Sequence, residues 1–559
     1  MMQTVDFSQT KVLGGFWKQK QDMVRKTTIY AVYDRFVETG RFDAFQFNWK
    51  EGMPHKPDIF WDSDVAKWME AAAYLTWQKR EPKLEKLVDN TVDLIEKNQC
   101  EDGYFNVYFT IVEPDKRFSD RRWHELYCAG HLIEAAVAYY EATGKRKFLD
   151  CMCRYADYIE KHFKIDQDTP FSSPGHEEIE LALVRLFECT GEKRYLDLAE
   201  YFVLIRGTEA DKGKDTLDGG LYSQAHKPAA QQDEAEGHAV RAVYFYCAMA
   251  DIAYHTGNQE LLAACRKLFA DIITKKMYIT GGIGSSSRGE AFTLPYDLNN
   301  ELAYAETCAA IGLAFFANRM LKLENDSVYS DTIERIIYNG FLSSTSLDGK
   351  AFFYENPLEI IPMMSKRDRS CTWIPGIHWP QTQRSEVFEC SCCPPNINRI
   401  FSSLADLFFK RLARYVVIIH AVPLPFEYRA GCRADSTHKR VRAAEDLGYN
   451  GALAAAGGTG NDKYHISFLI FINRTYQIVV RSVWDERFRH TKCGFGAEHW
   501  FECFTIHVCA TSYTDFQTFN IVWYCKGCSF TNIINCFFKF PNWCFNIITR
   551  YYRHQCNRF

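Results

Sequence analysis

One unit recurs along the first 340 residues: an apolar-periodic helix, a Thr-Gly step, a polar turn and a second helix. It reads YYEATGKRKFLDCMCRYADYI around Thr143-Gly144, LFECTGEKRYLDLAEYF around Thr190-Gly191 and IAYHTGNQELLAACRKLF around Thr256-Gly257. A looser copy is MLKLENDSVYSDTIERII. Glycine suits the left-handed position that closes a helix, so each Thr-Gly marks the end of a first helix. In the second helices apolar residues such as Leu196, Leu198, Ala199 and Phe202 fall at helical spacing. The glycines stand 47 and 66 residues apart. A helical hairpin cannot bury its apolar face alone, so hairpins in series stack on one another. A superhelical array and a closed toroid both satisfy this. Polar motifs at irregular intervals between the helices favour the toroid, whose loops build a site at one rim. The expected fold is therefore mainly α, a toroid of paired helices over residues 1–410.

The insertions between helices are PDIFWDSDVAKW, CEDGYFNVYF, RRWHELYCAGH, SSPGHEEIE, GLYSQAHKP and GGIGSSSRGEAF. They are rich in Gly, Trp, Tyr and His, as a sugar-binding cleft is. Aromatic residues make up 15% of the chain, and most of these fill cores in any globular protein. Near Arg411 the character changes. The chain through Gly460 is Ala/Arg/Gly-rich without a period, and from Asn473 it is rich in Phe, Cys, Asn, Ile, Trp and Tyr. No leucine occurs in the 90 residues after Leu469, where ordinary usage gives about eight. Stretches such as TYQIVVRSV permit strands, so residues 411–559 are read as an atypical region containing β-structure or disorder. Translation out of the native frame would give such a composition. Cys525 and Cys528 form a CxxC without a second pair to complete a metal site.

Composition narrows the function classes. A net charge of −4 with no long basic run gives no reason to expect a nucleic-acid or membrane-surface partner. No run of some 18 apolar residues predicts a transmembrane helix. The N-terminal Met1-Met2-Gln3-Thr4-Val5-Asp6 lacks the basic and apolar regions of a signal peptide, so a cytoplasmic location is expected. In a reducing compartment the 21 cysteines are better read as metal ligands or catalytic groups than as disulfides.

Two short motifs carry chemistry: Tyr304-Ala305-Glu306-Thr307-Cys308 and Cys390-Ser391-Cys392-Cys393-Pro394-Pro395-Asn396. Glu306, Cys308, Cys392 and Cys393 would offer Zn²⁺ three thiolates and a carboxylate, a full tetrahedral set. Adjacent Cys392 and Cys393 are poorly placed to pair with each other, and Pro394-Pro395 would fix the bend that turns both to one ion. Each motif alone is equally well explained by buried cysteine acting as a small apolar residue.

Together with GGIGSSSRGEAF, FWDSDVAKWMEAAAY, DGYFNVYF, WHELYCAGHLIEAAVAYYEATGKRKFLD, GHEEIELALVRL and EGHAVRAVYFY, the motifs AYAETC and CSCCPPNINR resemble glycoside hydrolase family 127, the beta-L-arabinofuranosidases. The resemblance runs from about Val12 to Leu407. It implies an (α/α)6-type barrel and exo-hydrolysis of terminal beta-L-arabinofuranosyl residues with retention. It implies Cys392 as nucleophile and zinc ligand, with Cys393, Cys308 and Glu306 as the other ligands. Glu290 would be the general acid/base. His124, His176 and His238 would contact the sugar, and Tyr354 would stand beside the nucleophile. Glu290 would need a raised pKa, which burial supplies. The family also implies β-sandwich material after the barrel, with dimer contacts, and residues 411–559 show no match to it. The expected partner is an arabinofuranosyl oligosaccharide or glycoconjugate.

Alternative readings are another helical-toroid sugar enzyme, an epimerase or lyase, and a catalytically silent protein whose zinc only staples loops. HExxH is absent at both His124-Glu125 and His176-Glu177-Glu178. Gly281-Gly282-Ile283-Gly284 lacks the ending of a phosphate loop and is read as a tight turn presenting Glu290. Asp62 and Asp64 in FWDSD could act as a carboxylate pair, and a helix N-cap at Ser63 or Asp64 is the plainer account.

Overall fold

In the computed structural model, residues 14–213, 217–361 and 378–408 are described, together with Val12 and the strand segments given below. The chain divides into two compact units, residues 7–407 and residues 1–6 with 408–559.

The larger unit is helical. Helix α1 (Gly15–Met23) passes through a π turn (Val24–Thr28) into α2 (Ile29–Glu38). Five helical hairpins follow: α3 (Trp61–Gln78) with α4 (Pro82–Asn98), α5 (Glu125–Thr143) with α6 (Lys147–Glu160), α7 (Ile179–Thr190) with α8 (Lys193–Ile205), α9 (Ala239–Thr256) with α10 (Gln259–Asp271), and α11 (Thr307–Leu323) with α12 (Ser327–Arg335). Helix α13 (Cys393–Ser402) follows. α3 packs on α5, α5 on α7, α7 on α9, α9 on α11, α11 on α13, and α13 back on α3. The ring is closed, with α4, α6, α8, α10 and α12 each outside its own partner and α1–α2 outside α13. This is the expected toroid rather than an open array.

Burial separates the two layers. α3 is buried at every position from Trp61 to Thr76, α5 from Glu125 to Tyr139 and α9 from Ala239 to Ala253. A helix buried all round must sit in the middle of a structure. The outer helices carry one apolar stripe; in α4 it is Leu84, Val88, Val92 and Ile95. Runs of alanine such as Ala71-Ala72-Ala73 let inner helices approach closely.

The Thr-Gly steps close the inner helices as expected. Gly144, Gly191 and Gly257 have φ of 73°, 77° and 73°. Their amides donate to Tyr140, Phe187 and Ala253 carbonyls at 2.7, 2.8 and 3.0 Å. The preceding Thr143, Thr190 and Thr256 hydroxyls donate to the carbonyls four residues back, at 2.6 to 2.8 Å. The looser fourth copy has no glycine: α11 ends with Glu324 in extended conformation, and Asp326 caps α12 by accepting from the Val328 amide at 3.0 Å.

Each outer helix returns the chain, so the inner helices all begin at one rim. None of the described helices is long and apolar enough to cross a membrane.

In the smaller unit the described residues form antiparallel strands: β1 (Met2–Thr4), β2 (Phe409–Leu412), β3 (Tyr415–Ile418), β4 (Gly457–Thr459), β5 (Lys463–His465), β6 (Phe468–Ile472), β7 (Tyr476–Val483), β8 (Glu502–Cys509) and β9 (Phe519–Trp523). The order is β1-β2-β3-β6-β7-β8-β9, with β4-β5 as a separate pair. β1 and β2 pair with Met2 opposite Leu412. The segment TYQIVVRSV is largely strand β7. Cys525 and Cys528 lie outside the described residues.

Candidate active site

The N-terminal rim of the inner ring gathers the residues singled out in the sequence. His124 is the N-cap of α5, His238 of α9, Glu306 of α11 and Cys392 of α13. His176 lies two residues before Glu178, the N-cap of α7. Cys308 is in the first turn of α11 and Cys393 opens α13, with Pro394-Pro395 in its first turn. The first amides of a helix lack intrahelical partners and carry the positive end of its dipole, which favours carboxylates and thiolates there.

Glu306, Cys308, Cys392 and Cys393 are all buried, and one ligand atom from each lies within 4.8 Å of the others. The sulfur of Cys308 is 3.6 Å from that of Cys392 and 3.3 Å from that of Cys393. Cys392 and Cys393 sulfurs are 3.7 Å apart, too far for a disulfide. Glu306 Oε1 is 3.6 Å from Cys392 Sγ and 3.7 Å from Cys393 Sγ. A zinc tetrahedron with ordinary bond lengths has edges of about 3.8 Å between sulfurs and about 3.6 Å between sulfur and oxygen. The four atoms are therefore spaced as the corners of a metal site. The other Glu306 oxygen is buried without a hydrogen-bond partner. Three sulfurs and a carboxylate suit zinc better than Mg²⁺ or Ca²⁺, which prefer oxygen.

Glu290 stands beside this cluster. One carboxylate oxygen of Glu290, one of Glu306 and a ring nitrogen of His238 all lie within 4.8 Å of one another. The backbone presents Glu290 from a tight hairpin in which Ser286 and Ala291 exchange amide–carbonyl bonds of 3.1 and 3.0 Å. At its tip Gly289 and Glu290 are left-handed, with φ of 71° and 51°. The second value is strained for a side-chain-bearing residue and marks a position held by its surroundings. Gly284 accepts from the Ala305 amide at 2.8 Å, tying this hairpin to the segment that carries Glu306. The glycine-rich run makes a separate turn, in which the Gly281 amide donates to the Tyr278 carbonyl at 2.8 Å and the Tyr278 amide to the Gly282 carbonyl at 2.9 Å, so Glu290 is presented by the hairpin that follows rather than by this run. Tyr354 arrives on a neighbouring segment, where its carbonyl accepts from Thr307 N–H at 2.9 Å. Its hydroxyl is 3.2 Å from Cys392 Sγ. The rings of His124, His176 and His238 form a row, with centroids 5.7 and 5.5 Å apart.

Residues 9–406 match the family model for the beta-L-arabinofuranosidase GH127 catalytic domain. The chain belongs to glycoside hydrolase family 127. It is 39% identical over 366 residues to a non-reducing end beta-L-arabinofuranosidase of Bifidobacterium longum subsp. longum, a match covering 62% of this chain and 54% of that protein. The chain thus spans about half the length of the curated relative it matches. A GH127 beta-L-arabinofuranosidase from Geobacillus stearothermophilus T6 superposes with a TM-score of 0.70 at 36% identity, covering 90% of this chain and 73% of that one. A second GH127 beta-arabinofuranosidase gives 0.70 at 31% identity, with 94% and 79% covered.

In this GH127 chain the electrostatics of Glu290 reverse the sequence expectation. Burial works to raise its carboxyl, but the His238 hydrogen bond and the Tyr304 hydroxyl hold it down at about 2. His238 Nε2 is 2.7 Å from one carboxylate oxygen, and Tyr304 donates to the other at 2.6 Å. The sequence cannot show this, because 238, 290 and 304 belong to three separate segments. His238 is held in one tautomer: its Nδ1 accepts from the Val240 and Arg241 amides, so the ring proton sits on Nε2 and points at Glu290. His124 is lowered to about 3, chiefly by burial and then by Arg241. His176 is pushed well down, again by burial first. Burial thus favours the neutral form of His124 and His176.

Within the GH127 cluster, burial works to raise Cys308, but its hydrogen bonds with Cys392 and Cys393 and the charge of Lys67 bring it down to about 6. Cys393 and Glu306 are pushed well up, by burial first and then by their anionic neighbours. So many groups competing to ionise in one buried volume is the situation a divalent cation relieves.

Sequence reasoning missed Tyr304 as a partner of Glu290, although it lies in a quoted motif, and missed Lys67 and Arg399 in the inner helices. It also misread Asp62 and Asp64. Neither caps α3, whose N-cap is Phe60. Asp62 accepts from the Val107 amide at 3.2 Å, Asp64 pairs with Arg41 at 2.8 Å, and Ser63 donates to the Phe60 carbonyl.

Proposed function

We propose that this chain is a retaining exo-glycosidase that removes terminal beta-L-arabinofuranosyl residues from an oligosaccharide or glycoconjugate, with Cys392 as nucleophile and Glu290 as acid/base. The single observation that carries the reading is the tetrahedral spacing of Glu306, Cys308, Cys392 and Cys393 beside Glu290. Family membership and the named activity of the relatives supply the substrate class. Zn²⁺, held by Glu306, Cys308, Cys392 and Cys393, would keep the thiols ionised at neutral pH and fix their positions.

Of the three cysteines Cys392 is the least buried residue, at 7% exposure against 2% and 0% for Cys308 and Cys393. In the first step its lone pair attacks the anomeric carbon, the glycosidic C–O bond breaks, and Glu290 gives a proton to the leaving oxygen. In the second step Glu290 takes a proton from water, the water oxygen attacks the same carbon, and the C–S bond breaks. Two inversions give retention. Glu290 must be protonated on entry, so the leaving oxygen takes over a position that a hydrogen-bond donor holds in the free site. The Tyr304 hydroxyl can yield, since it accepts as readily as it donates. His124 and His176 face the sugar hydroxyls as neutral donors and acceptors, whereas His238 has both ring nitrogens committed to the α9 amides and to Glu290 and lines the site through that carboxylate; the Tyr354 hydroxyl orients the sulfur.

The test is release of p-nitrophenol from p-nitrophenyl beta-L-arabinofuranoside by the purified protein, with and without a zinc chelator. The reading expects release that the chelator suppresses. A folded sample that releases nothing in either condition contradicts it.

A further inference from the structure

The insertion GLYSQAHKP, residues 220–228, supplies none of the groups assigned above, yet it packs against the hairpin that carries Glu290. The Tyr222 carbonyl accepts from the His238 amide at 3.2 Å. His238 in turn bridges to Ala291, and the Phe292 amide donates to the Gly237 carbonyl at 2.9 Å. These backbone ties fix Tyr222 relative to Glu290. Gly237 permits the close approach, since a β-carbon there would stand 1.9 Å from the Leu221 carbonyl oxygen.

The Tyr222 side chain lies on the same side. Its ring centroid is 5.7 Å from that of His238, the histidine bonded to Glu290. A β-carbon added at Gly289, the residue before Glu290, would meet the edge of the Tyr222 ring at 3.6 Å, so with glycine there no side chain of residue 289 lies against the ring. The buried Arg241 guanidinium lies 4.4 Å from the ring centroid and is itself anchored on the Gly175 carbonyl. A fixed cation thus backs the ring, and a ring held in advance costs little ordering when something stacks on it. Tyr222 is half-buried rather than enclosed. Exposure also gives a direction. Glu306 is 2% exposed, the Glu290 side chain 33%, and Gly289 lies in the open. A sugar seated between the buried cysteines and Glu290 turns its leaving oxygen toward this open side, where the next group meets Gly289 and Tyr222.

We propose that Tyr222 is the platform of a leaving-group subsite, on which the apolar C–H face of the substrate's second sugar ring stacks. Binding energy gathered there is available to the bond-breaking step, because the group that stacks is the group that departs. The proposal rests on the reading of Glu290 as the acid, and its test keeps the two apart.

The value of kcat/KM is measured for the wild type, Tyr222→Ala and Tyr222→Phe on two substrates. One is methyl beta-L-arabinofuranoside, whose leaving group is too small to stack. The other is a disaccharide with the same sugar at its non-reducing end. In Tyr222→Ala the disaccharide value falls by about tenfold or more, as loss of one stack implies. The methyl glycoside value stays within about threefold, and Tyr222→Phe, which keeps the ring, stays within about threefold on both. An equal loss on the two substrates overturns the proposal, because Tyr222 then only supports the Glu290 hairpin. An unchanged disaccharide value overturns it too. Near-wild-type rates in Glu290→Gln overturn the acid assignment without altering these ratios. Should the wild type hydrolyse neither substrate, the reading beneath fails and calorimetric binding decides the subsite. The wild type binds the disaccharide more tightly than the methyl glycoside, and Tyr222→Ala abolishes that advantage. Absence of the advantage in the wild type, or its survival in the variant, overturns the proposal.

Discussion

At the residue scale, the site works by placing ionisable groups at helix beginnings and then restricting their protons. His238 shows the principle. Two backbone amides occupy its Nδ1, so its remaining proton is aimed at Glu290, whose other oxygen receives the Tyr304 hydroxyl. Glu290→Gln keeps the shape and removes the proton transfer, so kcat/KM for an unactivated glycoside falls by about 10²- to 10⁴-fold. Cys392→Ser falls further, because a hydroxyl is a far poorer nucleophile there. Steady-state kinetics of both variants, with circular dichroism to confirm folding, checks this, and near-wild-type rates would contradict the assignments. A different carboxyl governs stability. Glu125 is raised to about 8 by burial, despite the Tyr104 hydroxyl and the Phe118 amide that it accepts from at 2.6 and 2.8 Å. A raised folded pKa means the folded state holds a proton that the unfolded state has lost. Its stabilising contribution is complete below the unfolded value near 4.5 and is lost as pH rises toward about 8. Denaturation midpoints should therefore decline between pH 5 and 8, and Glu125→Gln should flatten that decline. An identical slope in the variant would refute the role.

At the scale of elements, the Thr-Gly step is the repeated device. Nothing lies within 4 Å of a β-carbon added at Gly144, Gly191 or Gly257, so the requirement for glycine there is one of backbone conformation alone. Gly191→Ala should destabilise the fold by about 1 kcal/mol, read as a lower denaturation midpoint with unchanged slope; no change would mean the left-handed cap contributes nothing. These caps were legible because their signal is local: a threonine, a glycine and two apolar periods. The cluster of Glu306, Cys308, Cys392 and Cys393 was legible for a similar reason, since its four members fall in two short motifs that each open a helix. The surroundings of Glu290 were not. His238, Glu290 and Tyr304 meet only because three loops lie side by side at the rim, and no periodicity marks that meeting. Lys67, Glu70, Glu134 and Arg399 were equally hidden. In a one-dimensional reading a charge in a helix marks its solvent face, whereas these lie in inner helices and find buried partners, Arg399 reaching Glu70 and Glu134 at 2.8 and 2.7 Å and Lys67 the Tyr127 hydroxyl at 2.6 Å. Asp62 and Asp64 were misread on the same assumption.

On the scale of the whole molecule, the ring of inner helices closes where α13 meets α11 and α3, and the ligand cluster joins the first turns of α11 and α13. A metal there ties two successive members of the ring across the 69 residues between α11 and α13. Binding to the folded state alone stabilises it by about 2.7 kcal/mol at a free concentration one hundred times the dissociation constant. Chelation should lower Tm by several degrees, and readdition of Zn²⁺ should restore it. A Tm indifferent to chelator would mean that the cluster holds no metal in solution. The family match ends at residue 406, next to the boundary of the helical unit at Leu407. The unusual composition after Leu469 thus lies outside the unit that carries the site.

The claim at the centre of this account is that a metal-held cysteine forms a bond to the sugar. Peptide mass spectrometry of enzyme quenched in acid during turnover of p-nitrophenyl beta-L-arabinofuranoside tests it most directly. The account predicts one added pentosyl mass on the peptide containing Cys392, absent from Cys392→Ser. An enzyme that turns over substrate while that peptide stays unmodified, or that carries the sugar on a carboxylate, would contradict it.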